Sequence, residues 1–323
     1  MKKYFIELCW NQFVPYIHLK DLKTKSDELF YIPNEFNVEK INQKICIGTL
    51  NPFTREYITC DNIIEENQIQ CNKCKYLFDF YKCVRCHGGE CYVKNEDVLK
   101  YCNTTHYVYL AYFPNGKIKV GTASEVKKYN RLLEQGALFS MFIAQTPTGK
   151  IARQIEKNII DSGISGAVTT SYKMKNIIFK EDLVVIQKNL IEKYKEVLGS
   201  VSAENKQYLI KPEFNDFSEI KEKIDNNMLL DDFQFNLFSE KFKKVKSYTI
   251  KKDFDKIFGN YLFAVGKILA LENNGVIELV DTKINRGQLS NFTDWKCQGS
   301  RSFGVISGNP ASSQSSFFLC FFC

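Results

Sequence analysis

The stretch THYVYLAYFPNGKIKVGTA, residues 105–123, decides how this chain is read. Two runs rich in β-branched and aromatic residues, 105–113 and 117–123, flank Pro114-Asn115-Gly116. Such residues favour the pleated half-buried surface of a strand, and Asn-Gly takes the positive φ values that a tight hairpin needs. The segment predicts a two-stranded hairpin whose second strand ends in a glycine. Helical patterns follow at 124–135 and 150–161, the first carrying Arg131 and the second Glu156.

Immediately upstream, residues 57–103 hold seven of the twelve cysteines among few aliphatic residues, too few to build an ordinary core. Metal is expected to supply the stability. Cys71-x2-Cys74 and Cys83-x2-Cys86 have the spacing with which two thiolates wrap one tetrahedral ion, and Cys60, Cys91 and Cys102 flank them. The economical partition gives Cys83, Cys86, Cys91 and Cys102 to one complete site. Cys60, Cys71 and Cys74 then form a second site that lacks a fourth ligand. A single site of Cys71, Cys74, Cys83 and Cys86 is the alternative, and His87 or His106 could complete a site that lacks a ligand. Sets of four cysteines also hold iron–sulfur clusters. The expectation is one or two Zn2+ ions with a structural role, because four-thiolate zinc leaves no position for water.

Working outward, the 323 residues are enough for two or three modules. Hydrophobic and charged fractions of 44% and 25% suit a folded chain, and a formal charge of +7 favours a polyanionic partner over an acidic one. No window has the length and apolarity of a membrane span, and the first residues lack a secretory pattern, so a cytoplasmic location is expected. Cytosolic thiols stay reduced, which again directs the cysteines to metal. An α+β fold follows: a β-rich N-terminal domain over 1–56, the zinc region 57–103, the hairpin domain with its following helix over 104–200, and an α+β segment over 201–285. That segment includes β-like runs around an Asn273-Asn274-Gly275 turn. The helix at 181–198 has ordinary amphipathic spacing. From 286 a Ser-rich and then apolar tail is expected to be flexible, with a weak hint of a protein-binding peptide at 315–322.

Chemistry alone gives Tyr109, Lys119, Arg131 and Glu156 a shared use. A Tyr or Lys beside an attacking water, an Arg on phosphate, and a carboxylate holding one Mg2+ ion could cut a phosphodiester. Each also has an ordinary reading: strand tyrosines pack, and surface Arg and Glu are solvated.

Their order and spacing resemble the GIY-YIG nuclease superfamily. Tyr109 stands at the end of the first motif, Lys119-Val120-Gly121 falls where the second does, and Arg131 and Glu156 match the arginine and the metal-binding carboxylate. Tyr107 replaces the first-motif glycine and Lys119 the second-motif tyrosine. The resemblance implies Tyr109 as water-orienting group or base, Lys119 and Arg131 on phosphate, and Glu156 on magnesium.

A broader resemblance, over most of residues 10–285, is to domain-of-unknown-function family 2797. It rests on the cysteine-rich region followed by His106–Ala111, Lys119–Gly121, Gln135-Gly136-Ala137, Ile155-Glu156 and Asp161, and on Gly259–Leu262 further on. The family's first knuckle has two cysteines where this chain has Cys60 and then Ile63. This likeness implies an architecture and brings no activity with it. The functional expectation is a zinc-containing protein that binds DNA or RNA, with endonuclease activity open. A noncatalytic zinc-stapled adaptor for nucleic acid or protein is the alternative.

Overall fold

The computed structural model describes residues 2–11, 14–177, 181–217, 248–251 and 256–292. The N-terminal region contributes β1 (Lys2–Asn11), β2 (Val14–Asp21), β3 (Asp27–Tyr31) and β4 (Glu35–Ile45). Three two-residue strands follow, β5 (Thr49–Leu50), β6 (Tyr57–Ile58) and β7 (Ile63–Ile64), and then the short helices α1 (Asn72–Tyr76), α2 (Phe80–Val84) and α3 (Glu96–Cys102). The middle of the chain runs β8 (His106–Phe113), β9 (Lys117–Ser124), α4 (Lys128–Gln135), β10 (Phe139–Thr146), α5 (Gly149–Asp161), α6 (Thr170–Lys175), α7 (Leu183–Leu198) and β11 (Leu209–Asp216). The last strands are β12 (Tyr248–Lys251), β13 (Lys256–Val265), β14 (Ile268–Asn273), β15 (Val276–Asp281) and β16 (Gln288–Phe292).

The fold is mixed α+β, as the sequence indicates. Strands from the two ends of the chain meet in one sheet, ordered β12-β15-β14-β13-β4-β16-β1-β2-β3 with β7 beside β4. This changes the expected division. Residues 1–56 and 201–285 do not carry separate sheets: β1 pairs with β16, Lys2 opposite Asn291, and β4 pairs with β13, Val38 opposite Ile257. β16 also lies beyond the boundary set at 285 and closes the sheet between β4 and β1. The suggested peptide at 315–322 lies outside the described residues.

A bulge between Phe5 and Glu7 shows how β1 serves two cores. One extra residue shifts the period-two alternation, so Phe5, Leu8 and Trp10 all join the large core while Tyr4 and Ile6 join a smaller one.

The hairpin takes the expected place. β8 and β9 pair antiparallel with Phe113 opposite Lys117, and Asn115 and Gly116 both hold positive φ, 60° and 73°. They belong to a four-stranded sheet ordered β11-β10-β8-β9. Every residue of β8 is buried, because both faces are covered. Tyr107, Tyr109, Ala111 and Phe113 point into a core shared with β1, β2, β13 and β14. Val108, Leu110 and Tyr112 point to the opposite core, with Ala152, Ile155 and Ile159 of α5 and Ile186 and Leu190 of α7. Each fully buried aromatic or aliphatic side chain contributes about 1.5–3 kcal/mol. α5 begins at a Thr148 cap whose hydroxyl accepts the Ile151 N–H, and α4 ends at Gly136 in the left-handed conformation. α4 runs between the two sheets, against β1, β9 and β13. Among the described residues no helix is long and apolar enough to cross a membrane.

Candidate metal centre and basic cluster

The cysteine-rich region has almost no apolar interior. Its core consists of Cys46, Ile64 and Cys74, with Cys60 and Cys71 packed against them. The sulfurs of Cys46, Cys60, Cys71 and Cys74 all lie within 4.8 Å of one another. Tetrahedral zinc with bonds near 2.3 Å would place its sulfurs about 3.8 Å apart, and the Cys60–Cys71 separation is 3.9 Å. Four thiols, half of them buried, therefore fit a metal such as zinc.

Cys46 is the ligand that the sequence reading lacked. It leaves the end of β4, where KICIGTL reads as a strand, and three features hold its sulfur in place. The backbone N–H groups of Gly48 and Cys71 donate to it at 3.4 and 3.3 Å. Gly48 has φ +75°, and a Cβ there would collide with the Ile58 carbonyl. Cys-x-Gly was the legible signal: the tight turn brings an N–H back onto the thiolate. Burial resists ionisation of Cys71, yet hydrogen bonds from the Cys74 N–H and the Asn62 side chain bring its thiol down to about 6. Burial and the neighbouring Cys60 and Cys46 push Cys74 up instead. A bound cation would relieve that crowding by ionising all four thiols.

The cysteines of the other expected site occupy a second location. Cys86 repeats the Cys-x-Gly turn, with the Gly88 N–H donating to its sulfur at 3.3 Å and Gly88 at φ +78°. Cys102 ends α3 and receives the Gly149 and Lys150 N–H groups at the start of α5. Cys83 is pushed up to about 11 by burial and then by Cys102, with Cys86 and Cys91 also near. Among the described residues only the Cys46 group brings three or more ligand atoms within 4.8 Å. A single site of Cys71, Cys74, Cys83 and Cys86 is thus not what forms, and neither His87 nor His106 joins the group. His106 instead shares Nδ1 with the Thr104 carbonyl at 2.8 Å and stacks its edge on Tyr101.

Tyr109, Lys119, Arg131 and Glu156 come from β8, β9, α4 and α5. Alternation puts Tyr109, Gly121 and Lys119 on one face of the hairpin, with Gly121 directly opposite Tyr109. Lys119 Nζ lies 6.0 Å from the Tyr109 ring centroid and 3.4 Å from Gln135 Oε1. Tyr109 is fully buried, with the Arg131 side chain within hydrogen-bonding reach of its hydroxyl. Burial pushes that hydroxyl's pKa up, while Arg131 draws it down and Glu156 raises it. Lys119 is brought down to about 8, first by burial and next by Arg131. Glu156 Oε2 accepts from Arg153 Nη1 at 2.6 Å. Arg153, which the sequence reading passed over, is held above its usual range because Glu156 outweighs the effect of burial. No three-ligand group includes Glu156 among the described residues, so nothing in the donor set here speaks for Mg2+.

The arrangement can therefore do two things. It can hold a metal in a closed thiolate site, and it can offer several cations and a buried phenol to an anion. A family model described as a protein of unknown function, DUF2797, matches residues 35–285. The chain belongs to that family. The DUF2797 match begins ahead of Cys46 and ends beyond Lys283, so it takes in the metal centre, the hairpin cluster and β13 to β15, while β1 and β2 precede it. No curated protein and no solved structure matches the chain.

Proposed function

We propose that this DUF2797 protein is a zinc-stapled nucleic-acid-binding protein whose Tyr109–Lys119–Arg131–Glu156 cluster receives a backbone phosphate. The supporting observation is the convergence of these four side chains from four separate elements, with Arg153 paired to Glu156, Arg131 3.9 Å from Glu134, and Lys119 in no ion pair among the described residues. Holding Lys119 buried without a carboxylate in ion-pair range is costly, and a phosphate would offset that cost. Structural zinc is assigned to Cys46, Cys60, Cys71 and Cys74, and a second ion to Cys83, Cys86, Cys91 and Cys102. The shared Cys-x-Gly turn at Cys46 and Cys86 supports the second assignment.

Binding of labelled DNA and RNA at rising salt tests the proposal. Phosphate contacts release counterions, so affinity should fall steeply between about 50 and 200 mM salt. Arg131→Ala should weaken binding to every sequence alike. Affinity that ignores both salt and Arg131 contradicts the proposal.

A second reading, metal-dependent cleavage, is favoured by one observation: the buried Tyr109 hydroxyl sits beside Lys119 and the Arg131 side chain. In that reading Tyr109 orients or deprotonates water, Lys119 and Arg131 neutralise phosphate charge, and Glu156, released by Arg153, holds Mg2+.

A further inference from the structure

Three lysine ammonium groups gather around Gln135 and the start of α6, and two of them come from outside the hairpin motif. Lys119 Nζ lies 3.4 Å from Gln135 Oε1, and Lys173 Nζ donates to the Gln135 carbonyl at 2.6 Å. Lys283 Nζ reaches Thr170 Oγ1 at 2.9 Å, one turn before Lys173 on α6. Lys119 and Lys173 are buried, 6% and 9% exposed, while Lys283 is exposed. No carboxylate forms an ion pair with any of the three among the described residues. The acids that act on them are Glu156, on Lys119, and Asp281, on Lys173; Asp281 accepts the Lys283 backbone N–H at 3.0 Å. Arg131 sits one turn before Gln135 on α4 and adds a fourth positive charge to the same place.

We infer that Lys119, Lys173 and Lys283 form a second phosphate subsite, adjoining the one at Arg131 and closed on one side by the C-terminal strands. This rests on the proposed phosphate reading of the hairpin cluster and extends it to residues that no motif marks. Like charges repel, and the ammoniums of Lys119 and Lys173 are held from water without an ion-pair partner, so these two with Lys283 beside them are best accounted for by an anion with several acceptor oxygens. Phosphate has that form. Burial and the approach of Lys119, Lys283 and Arg131 bring Lys173 down to about 7, which a bound phosphate would reverse. Lys283 follows β15 and reaches the start of α6, so the large sheet supplies one wall of the subsite while β9 and α6 supply the other two lysines.

The experiment titrates fluorescent single-stranded DNA and RNA oligonucleotides, and separately inorganic pyrophosphate, against the full chain and against Lys283→Gln and Lys173→Met. Lys283 is exposed, so its variant keeps the fold even where Lys173→Met does not. With oligonucleotides, each lost phosphate contact should lower the slope of log affinity against log salt by about 0.7, with affinity reduced roughly five-fold. A purely structural lysine would leave that slope unchanged. Wild-type binding that neither variant alters overturns the subsite while leaving the hairpin reading intact. Pyrophosphate that raises the melting temperature of the wild type and not of the variants, without oligonucleotide binding, keeps the subsite and removes the nucleic-acid reading. Binding of neither ligand overturns both.

Discussion

Tyr109 stands opposite Gly121 across the β8–β9 hairpin, and its hydroxyl oxygen lies 2.5 Å from where a Cβ on residue 121 would be. The glycine therefore serves to let the phenol lie flat over the second strand beside Lys119. Gly121→Ala is expected to push the ring aside and destabilise the fold by about 1–3 kcal/mol, the usual effect of overpacking. Tyr109→Phe should cost less, about 1 kcal/mol, because it removes only the hydroxyl's interaction with the Arg131 side chain. Urea unfolding of the two variants checks both expectations. A harmless Gly121→Ala would mean the ring is not confined.

Metal content provides the next test. Purified protein should carry at least one equivalent of zinc, and Cys46→Ser should lose an equivalent compared with wild type. Structural zinc contributes about 10–16 kcal/mol of apparent binding free energy in small domains. Chelation should therefore lower the melting temperature markedly in wild type and less in Cys46→Ser. Equal zinc in the two proteins would exclude Cys46 as a ligand.

Lys173 gives the fold a dependence on pH with a defined sign. Its pKa falls from 10.5 to about 7 on folding, through burial first and then Lys119, Lys283 and Arg131, against Asp281. The folded state thus binds fewer protons than the unfolded state between those values, and stability rises with pH across that window. Each unit of difference is worth about 1.4 kcal/mol. Wild type should gain about 1–3 kcal/mol between pH 7 and about pH 9, and Lys173→Met should gain less. Lys119, at about 8, contributes in the same direction. A wild type and variant with parallel stability curves would show that Lys173 is not confined as described.

The parts of this molecule that were legible in the sequence are those written locally. Alternation and Asn-Gly announce β8 and β9, and the pair Asn274 and Gly275, both at positive φ, announces the β14–β15 turn. CxxC spacing announces Cys71 and Cys74. What stayed hidden depends on distance along the chain. No local pattern tells Lys2 that it will pair with Asn291, and loop-closure cost is no guide to which strands meet. Cys46 was hidden in a segment that also reads as a strand, 14 residues before Cys60. Lys173 and Lys283 look like any surface lysine until folding brings both beside Gln135 and Thr170.

Cleavage separates the two functional readings. Wild type with Mg2+ or Mn2+ should cut labelled DNA or RNA if Glu156 holds a catalytic ion, and Glu156→Ala should then lose cleavage by 100-fold or more, at roughly the scale of losing one electrostatic stabiliser. Oligonucleotide binding should persist in that variant. Uncut substrate on every strand, with binding intact, leaves recognition as the function.

Where nucleic acid lies on the surface tests the central claim most directly. Ultraviolet crosslinking of a thiouridine-bearing oligonucleotide, followed by mass spectrometry of the attached peptides, locates the contact residue by residue. Crosslinks are expected on peptides from β8 to α6, around Tyr129, Arg131 and Tyr172. Crosslinks confined to residues 57–103, or none at any salt, would contradict the assignment of the hairpin cluster as a phosphate site.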